Sequence, residues 1–339
     1  MEKQERIPET MRAMVLSGQA RALTEMRVAV PYPGPGQVLV RVNACGVCRT
    51  DLHIVDQELK EGKYPLILGH EVIGKIVAMG KGIDPACLGQ VVGVPWLAYT
   101  CGKCRYCLKG KENLCEKALF TGYTVDGGYA EYMLAYQRYV FPIPGIYQNA
   151  AASPLLCAGL IGFRSYSMLD PDCEKIGIYG FGAAAHILIQ LAVAQGKLIY
   201  AFSKKGDHAA QQLALRLGAT WAGDSSQQPP CPMDGAILFA PAGELVPKAL
   251  SESNRGAMVV CGGIHMSDIP TFPYELLWGE RTVKSVANLT TSDAANFFEQ
   301  ATLHPITTSV RFFELSEANQ ALQALREGSI QGAAVLRIH

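Results

Sequence analysis

The first part of the chain reads as strand and turn. Residues 14–16, 37–42 and 71–77 are β-branched, partly alternating segments, a period suited to half-buried strands. Pro and Gly clusters such as Pro31-Tyr-Pro-Gly-Pro-Gly36 separate them and predict turns. The texture changes after about residue 160. Short apolar strands at 176–179 and 198–202 alternate with helix-like stretches at 183–195 and 208–217, and 234–239 and 257–261 continue the strand series. Such alternation implies right-handed βαβ units around a parallel sheet. From about residue 293 the rhythm is lost, and residues 316–326 (SEANQALQALR) read as an amphipathic helix capped by Ser316. There is no internal repeat. The expected organisation is an α/β chain with a β-rich domain over 1–160, a doubly wound parallel-sheet domain over 161–292, and a return to the first domain over 293–339.

Length supports two domains, since 339 residues suffice for two separate cores. The 30 basic and 30 acidic side chains cancel, which argues against nucleic-acid and acidic-membrane partners. No apolar run is long enough to span a bilayer. Met-Glu-Lys-Gln-Glu-Arg at the start leads into no apolar signal segment. Eleven cysteines in a protein expected in the cytoplasm read as metal ligands plus buried thiols.

The most informative of them are Cys101, Cys104, Cys107 and Cys115. Thiolates three, three and eight residues apart can converge on one ion from a folded-back loop, and four thiolates leave no open position. That donor set predicts a structural zinc ion, which performs no chemistry.

A second motif, Gly180-Phe-Gly182-Ala-Ala-Ala185, directly follows a predicted strand and opens a predicted helix. In that setting glycines let the backbone approach a dinucleotide pyrophosphate at the helix N-terminus, and Ala185 serves close helix–strand packing. The next strand ends in Ser203-Lys204-Lys205, with no acidic residue to accept ribose hydroxyls. These three residues are either a receptor for a 2′-phosphate or a solvated basic turn. The lean is to NADP over NAD.

A third constellation is dispersed. Cys48, His70 with Glu71 beside it, and Cys157 offer two thiolates and an imidazole, leaving a fourth position open as a catalytic zinc requires. Cys45 offers a rival pairing with Cys48.

With the segments GVCRTDLH and GHE, the four-cysteine loop and G-x-G-x-x-A in this order, the chain resembles a zinc-dependent alcohol dehydrogenase of the medium-chain dehydrogenase/reductase family over essentially its whole length. The resemblance implies a GroES-like catalytic domain interrupted by a Rossmann domain. It also implies two zinc ions per chain and reversible hydride transfer between a small alcohol or aldehyde and NAD(P). Carried over by position, Cys48, His70 and Cys157 are the catalytic zinc ligands. Glu71 is a carboxylate that assists ligand exchange, and Asp51 orients the histidine ligand. Thr50 and His53 resemble the proton relay, and Arg49 a cofactor-phosphate contact. Trp96 aligns with a pocket aromatic that favours primary alcohols, with a core role as its alternative. Residues 261–265 and 286–290 fall where relatives touch the nicotinamide, while His186 and His265 are read as structural. One departure stands out: the stretch 332–337 carries alanine where the family commonly has a phosphate-binding arginine, which predicts a weaker or differently selective cofactor grip. Other oxidoreductases of this fold, a polyol dehydrogenase or a quinone reductase, and a non-catalytic NADPH-binding structural protein are the competing readings. The resemblance further implies a homo-oligomer, a dimer or tetramer, for which the apolar stretch 282–289 is a candidate pairing edge.

Overall fold

A computed structural model of the chain describes residues 6–18, 21–59 and 62–339. They form two compact units: 1–157 with 290–298 and 308–339, and 158–289 with 299–307. The return to the first unit is thus interrupted. The helix Thr291–Leu303 begins in one unit and ends in the other.

The first unit is built on the long strand Gln37–Val47. Val38, Val40 and Val42 are fully buried, and full burial of such a side chain contributes about 1.5–3 kcal/mol. This strand lies between Val72–Met79 and Ala333–Arg337, and Tyr132–Tyr136 pairs with its first half. A smaller sheet joins Thr24–Ala29, Thr10–Leu16 and Leu66–Ile67. The final strand is absent from the sequence expectation, because its run of Ala and Val carries no polar alternation; both faces are covered. Ala333 and Ala334 are buried there, so the position expected to carry a phosphate-binding arginine is part of a core strand.

The second unit has a six-stranded sheet in the order Trp221–Asp224, Leu198–Ser203, Lys175–Tyr179, Met233–Leu238, Ser253–Cys261, Thr282–Ser285. Every pairing is parallel, so all strands end on one edge. Its strand order reverses direction between Lys175–Tyr179 and Met233–Leu238, the topological switch point at which such sheets bind ligands. The strand expected over 282–289 is only Thr282–Ser285; Asn288 sits at φ 61° and breaks it.

Near the C-terminus, the helix is Ala318–Arg326, preceded by a 3-10 turn over Leu315–Glu317. Ser316 is not its cap. Glu314 and Glu317 form the reciprocal cap instead, the Glu314 N–H donating to Glu317 Oε2 at 2.7 Å, which starts the turn two residues earlier than a serine cap would.

Candidate active site

The helix Arg49–Val55 starts directly after the strand Gln37–Val47, with Cys48 as its N-cap. The Cys48 N–H donates to Asp51 Oδ2 at 2.8 Å, so the carboxylate three residues on closes the helix start. His70 and Glu71 occupy the short link between Leu66–Ile67 and Val72–Met79. Cys157 ends the 3-10 helix Ala150–Leu156, which packs on both long strands. Three segments distant in sequence thereby bring Cys48, His70, Glu71 and Cys157 together, with ligand atoms all within 4.8 Å of one another. The two sulfurs are 3.8 Å apart.

Two glycines make room. A Cβ on Gly46 would run into the Glu71 carboxylate, and Gly69, at φ 96°, faces the Tyr129 ring and Cys45 Sγ too closely for any side chain. Cys45 is outside the cluster; its thiol lies 3.5 Å from the Gly46 carbonyl and burial pushes its pKa up. The fold thus groups Cys48, and not Cys45, with His70, Glu71 and Cys157.

The donor set fits a divalent cation. His70 is fully buried, its Nδ1 meets only the Asp51 carboxylate and its Nε2 has no hydrogen-bond partner, which is costly unless something else is bound there. Asp51 Oδ1 is 3.4 Å from His70 Nδ1 and Oδ2 accepts the Tyr129 hydroxyl at 3.0 Å. The Cys157 thiol, by hydrogen bonding, lowers the Cys48 pKa well below the ordinary value. Its own pKa is raised by the same contact and by burial. Burial and the Cys48 charge push Glu71 up as well. Burial opposes charge on His70, but Asp51 and Cys48 outweigh it and raise its pKa. Several anions confined here cannot all ionise without a positive charge among them.

Cys101, Cys104, Cys107 and Cys115 form the second cluster, again within 4.8 Å. Cys104 and Cys107 sulfurs are 3.5 Å apart, and the Cys101 N–H donates to Cys115 Sγ at 3.4 Å. Backbone N–H groups, that of Lys103 first, hold Cys101 down at about 6, whereas burial pushes Cys115 up to about 11. Gly102 and Gly110 take φ near 70° and 65°, turning the loop on itself.

In the parallel-sheet unit, Gly180 follows Lys175–Tyr179 at φ 93°, where a Cβ would meet the Ala240 nitrogen at 2.6 Å. Gly182 caps the helix Ala183–Ala194 and Ala185 is fully buried. Ser203 ends the neighbouring strand, but its hydroxyl is buried and accepts from Gln211 Nε2 at 3.0 Å. It is turned inward, away from the solvent a 2′-phosphate would occupy; Lys204 and Lys205 are exposed. Residues 262–265 follow the strand Ser253–Cys261, and 286–290 follow Thr282–Ser285, on the same sheet edge. His186 is buried within its helix, and burial lowers its pKa.

The alcohol dehydrogenase GroES-like domain model matches residues 34–145. A probable alcohol dehydrogenase of Mycobacterium tuberculosis, AdhA, is 42% identical over 323 residues, 93% of each chain. An alcohol dehydrogenase of Geobacillus stearothermophilus is 34% identical over 97% of this chain and 99% of its own. The chain belongs to the zinc-dependent alcohol dehydrogenases. Acetophenone reductase from Geotrichum candidum, solved with NAD, superposes with a TM-score of 0.88 at 28% identity, covering 98% of both chains.

One part of this alcohol dehydrogenase, Tyr129, was not legible as a site residue in the sequence. Tyr129 is fully buried and shares Asp51 with the His70 ring, a contact across 78 residues that no local motif reveals. Trp96 meets His70 edge-on at 4.9 Å between ring centroids and stacks on Phe120 and Tyr123. It is half-buried, at once a wall beside the His70 imidazole and part of an aromatic cluster. Thr50 Oγ1 lies 3.7 Å from Cys48 Sγ, and His53 follows one turn later on the same helix face. The His53 ring contacts the Glu58 carboxylate through Nδ1. Arg49 is exposed at the helix start.

Proposed function

We propose that this enzyme interconverts small primary alcohols and aldehydes, using two zinc ions per chain and a nicotinamide dinucleotide, with NADP preferred. The observation that carries the reading is the Cys48–His70–Glu71–Cys157 cluster, with His70 Nδ1 facing Asp51 and Nε2 without a hydrogen-bond partner. Zinc held by Cys48, His70 and Cys157 supplies Lewis acidity that eases deprotonation of an alcohol, and the nicotinamide supplies the hydride acceptor. Asp51 takes the Nδ1 hydrogen of His70 and so presents Nε2 as the ligand atom. Glu71 stands ready to exchange at the metal. Thr50 holds the substrate hydroxyl and His53 passes its proton toward solvent. Trp96 narrows the space beside His70, favouring unbranched primary alcohols. Cys101, Cys104, Cys107 and Cys115 hold the structural ion.

For the cofactor, Gly180, Gly182 and Ala185 form the pyrophosphate turn, with Arg49 a further phosphate contact. The lean to NADP rests on Lys204 and Lys205 alone, since the Ser203 hydroxyl is engaged internally. The enzyme acts in the cytoplasm as a homo-oligomer. The outermost strand Thr282–Ser285 is largely exposed, as are Tyr274 and Trp278 just before it, a surface suited to pairing with a second copy.

Zinc content per chain, measured together with oxidation of ethanol, butanol, benzyl alcohol and 1-phenylethanol with NAD and with NADP, tests this. Two zinc ions and faster turnover of the primary alcohols with NADP are expected. One zinc ion and no turnover would reduce the cluster to a structural remnant. A monomeric mass in solution would remove the oligomer.

A further inference from the structure

We infer that Glu58 is a positioning residue for proton transfer, fixing His53 in the tautomer whose Nε2 carries no hydrogen; this rests on the reading of His53 as a relay. A carboxylate only accepts hydrogen bonds, so its contact with His53 Nδ1 requires the hydrogen on Nδ1. Nε2 is then the acceptor, as a group receiving a proton during alcohol oxidation must be. An imidazole without such a partner prefers the opposite tautomer.

The surrounding backbone is shaped to bring the carboxylate there. The helix ends at Asp56, whose two oxygens bind the Arg326 guanidinium at 2.7 and 2.9 Å. The nearer acid is thereby occupied. Gln57 adopts φ 61°, a left-handed conformation uncommon outside glycine, and its side chain donates to the Gly18 carbonyl at 3.0 Å. That turn doubles the chain back, and the Glu58 N–H donates to the His53 carbonyl at 2.9 Å. Glu58 and His53 are thus tied through backbone and side chain alike. A left-handed residue just ahead of the carboxylate, held by its own side-chain hydrogen bond, fixes the turn that places Glu58.

The test uses the full chain loaded with zinc and ¹⁵N-labelled at histidine, with Glu58→Gln, Glu58→Asp and His53→Gln variants, the last also assigning the His53 resonances. In the parent enzyme the hydrogen is expected on Nδ1; in Glu58→Gln the Nε2–H form becomes substantial. In parallel, kcat for alcohol oxidation falls roughly tenfold, a fraction of what a positioned acid–base group contributes, with KM for the alcohol unchanged. Glu58→Asp recovers part of both. Glu58 is half exposed, so its replacement leaves the fold intact, which the melting temperature checks. An unchanged tautomer in Glu58→Gln while His53→Gln is slow overturns the role of Glu58 and leaves the relay standing. An unchanged kcat in His53→Gln overturns the relay and, with it, this role.

Discussion

The two clusters each bring four candidate donors together and have opposite constructions. One is local: residues 101–115 supply every donor, three of the four cysteines are only half-buried, and backbone N–H groups already favour a thiolate at Cys101. The other is assembled across the fold, with Cys48 and Cys157 separated by 109 residues; the hydrogen bond from the Cys157 thiol favours a thiolate at Cys48, and that charge together with burial holds Cys157 and Glu71 back from ionising. A loop of thiolates can take a metal as a staple wherever it sits. A mixed, partly buried set needs the core to build it and a cation to neutralise it, and a position left over is where chemistry can happen.

Removing a donor from each cluster should separate the two roles. His70→Ala is expected to cost the largest effect, roughly a thousandfold or more in kcat/KM, the equivalent of the several kcal/mol a Lewis acid contributes. The variant should retain one zinc ion and a near-normal melting temperature. Activity within tenfold of the parent enzyme would place the chemistry elsewhere.

The next effect belongs to the support of that cluster. Asp51 binds the Cys48 N–H, the Tyr129 hydroxyl and the His70 ring at once. Asp51→Asn retains the shape but can present an N–H where His70 needs an acceptor, so a loss of about 10–100-fold in metal affinity or activity is expected. Zinc titration against a competing chelator measures it, and affinity equal to that of the parent enzyme would show that Asp51 does not orient the ring.

The difference between the clusters also explains what the sequence made legible. Cys101 to Cys115 announce themselves because spacing alone defines the site, and Gly180–Ala185 because strand, turn and helix are contiguous. Cys48, His70 and Cys157 individually resemble ordinary buried side chains; only their order within family segments set them apart. Tyr129, Glu58 and the aromatic pair Phe120 and Tyr123 were not legible, since each acts through a contact that depends on how strands or turns return. The same holds for fold: the parallel sheet was visible in its rhythm, whereas Ala333–Arg337 was hidden because a strand covered on both sides loses its alternation. Ser203 misled for a related reason. A serine at a strand end looks available in sequence, and only the Gln211 contact shows its hydroxyl committed.

A donor taken from the local loop should act on stability before activity. Cys104→Ser is expected to release the second zinc ion and lower stability by about 3 kcal/mol, the linkage expected where free metal exceeds Kd a hundredfold. At roughly 2–4 °C per kcal/mol for a chain of this scale, the melting temperature falls by about 6–12 °C, while initial-rate activity at low temperature changes little. Immediate loss of turnover in a still-folded variant would mean that the local cluster shapes the reacting site directly.

The smallest effect concerns how the local loop is fastened. Glu112, within it, is buried and its Oε1 accepts both the backbone N–H and the hydroxyl of Thr291, each at 2.8 Å, at the start of the helix Thr291–Leu303. Burial opposes its charge, but the hydrogen bonds it accepts, that from the Thr291 N–H first, and the nearby Arg138 charge together outweigh this and hold its pKa below the ordinary glutamate value. A carboxyl lowered on folding stabilises above its unfolded pKa, and the contribution is lost as pH falls through the folded value. Glu112→Gln can still accept a hydrogen bond but has no charge, so it should cost about 1 kcal/mol at neutral pH. The gap between the two melting temperatures should close as the solution is acidified below the glutamate range. A gap that persists at low pH would mean that the clamp works by shape, and that the local cluster is joined to the body without help from charge.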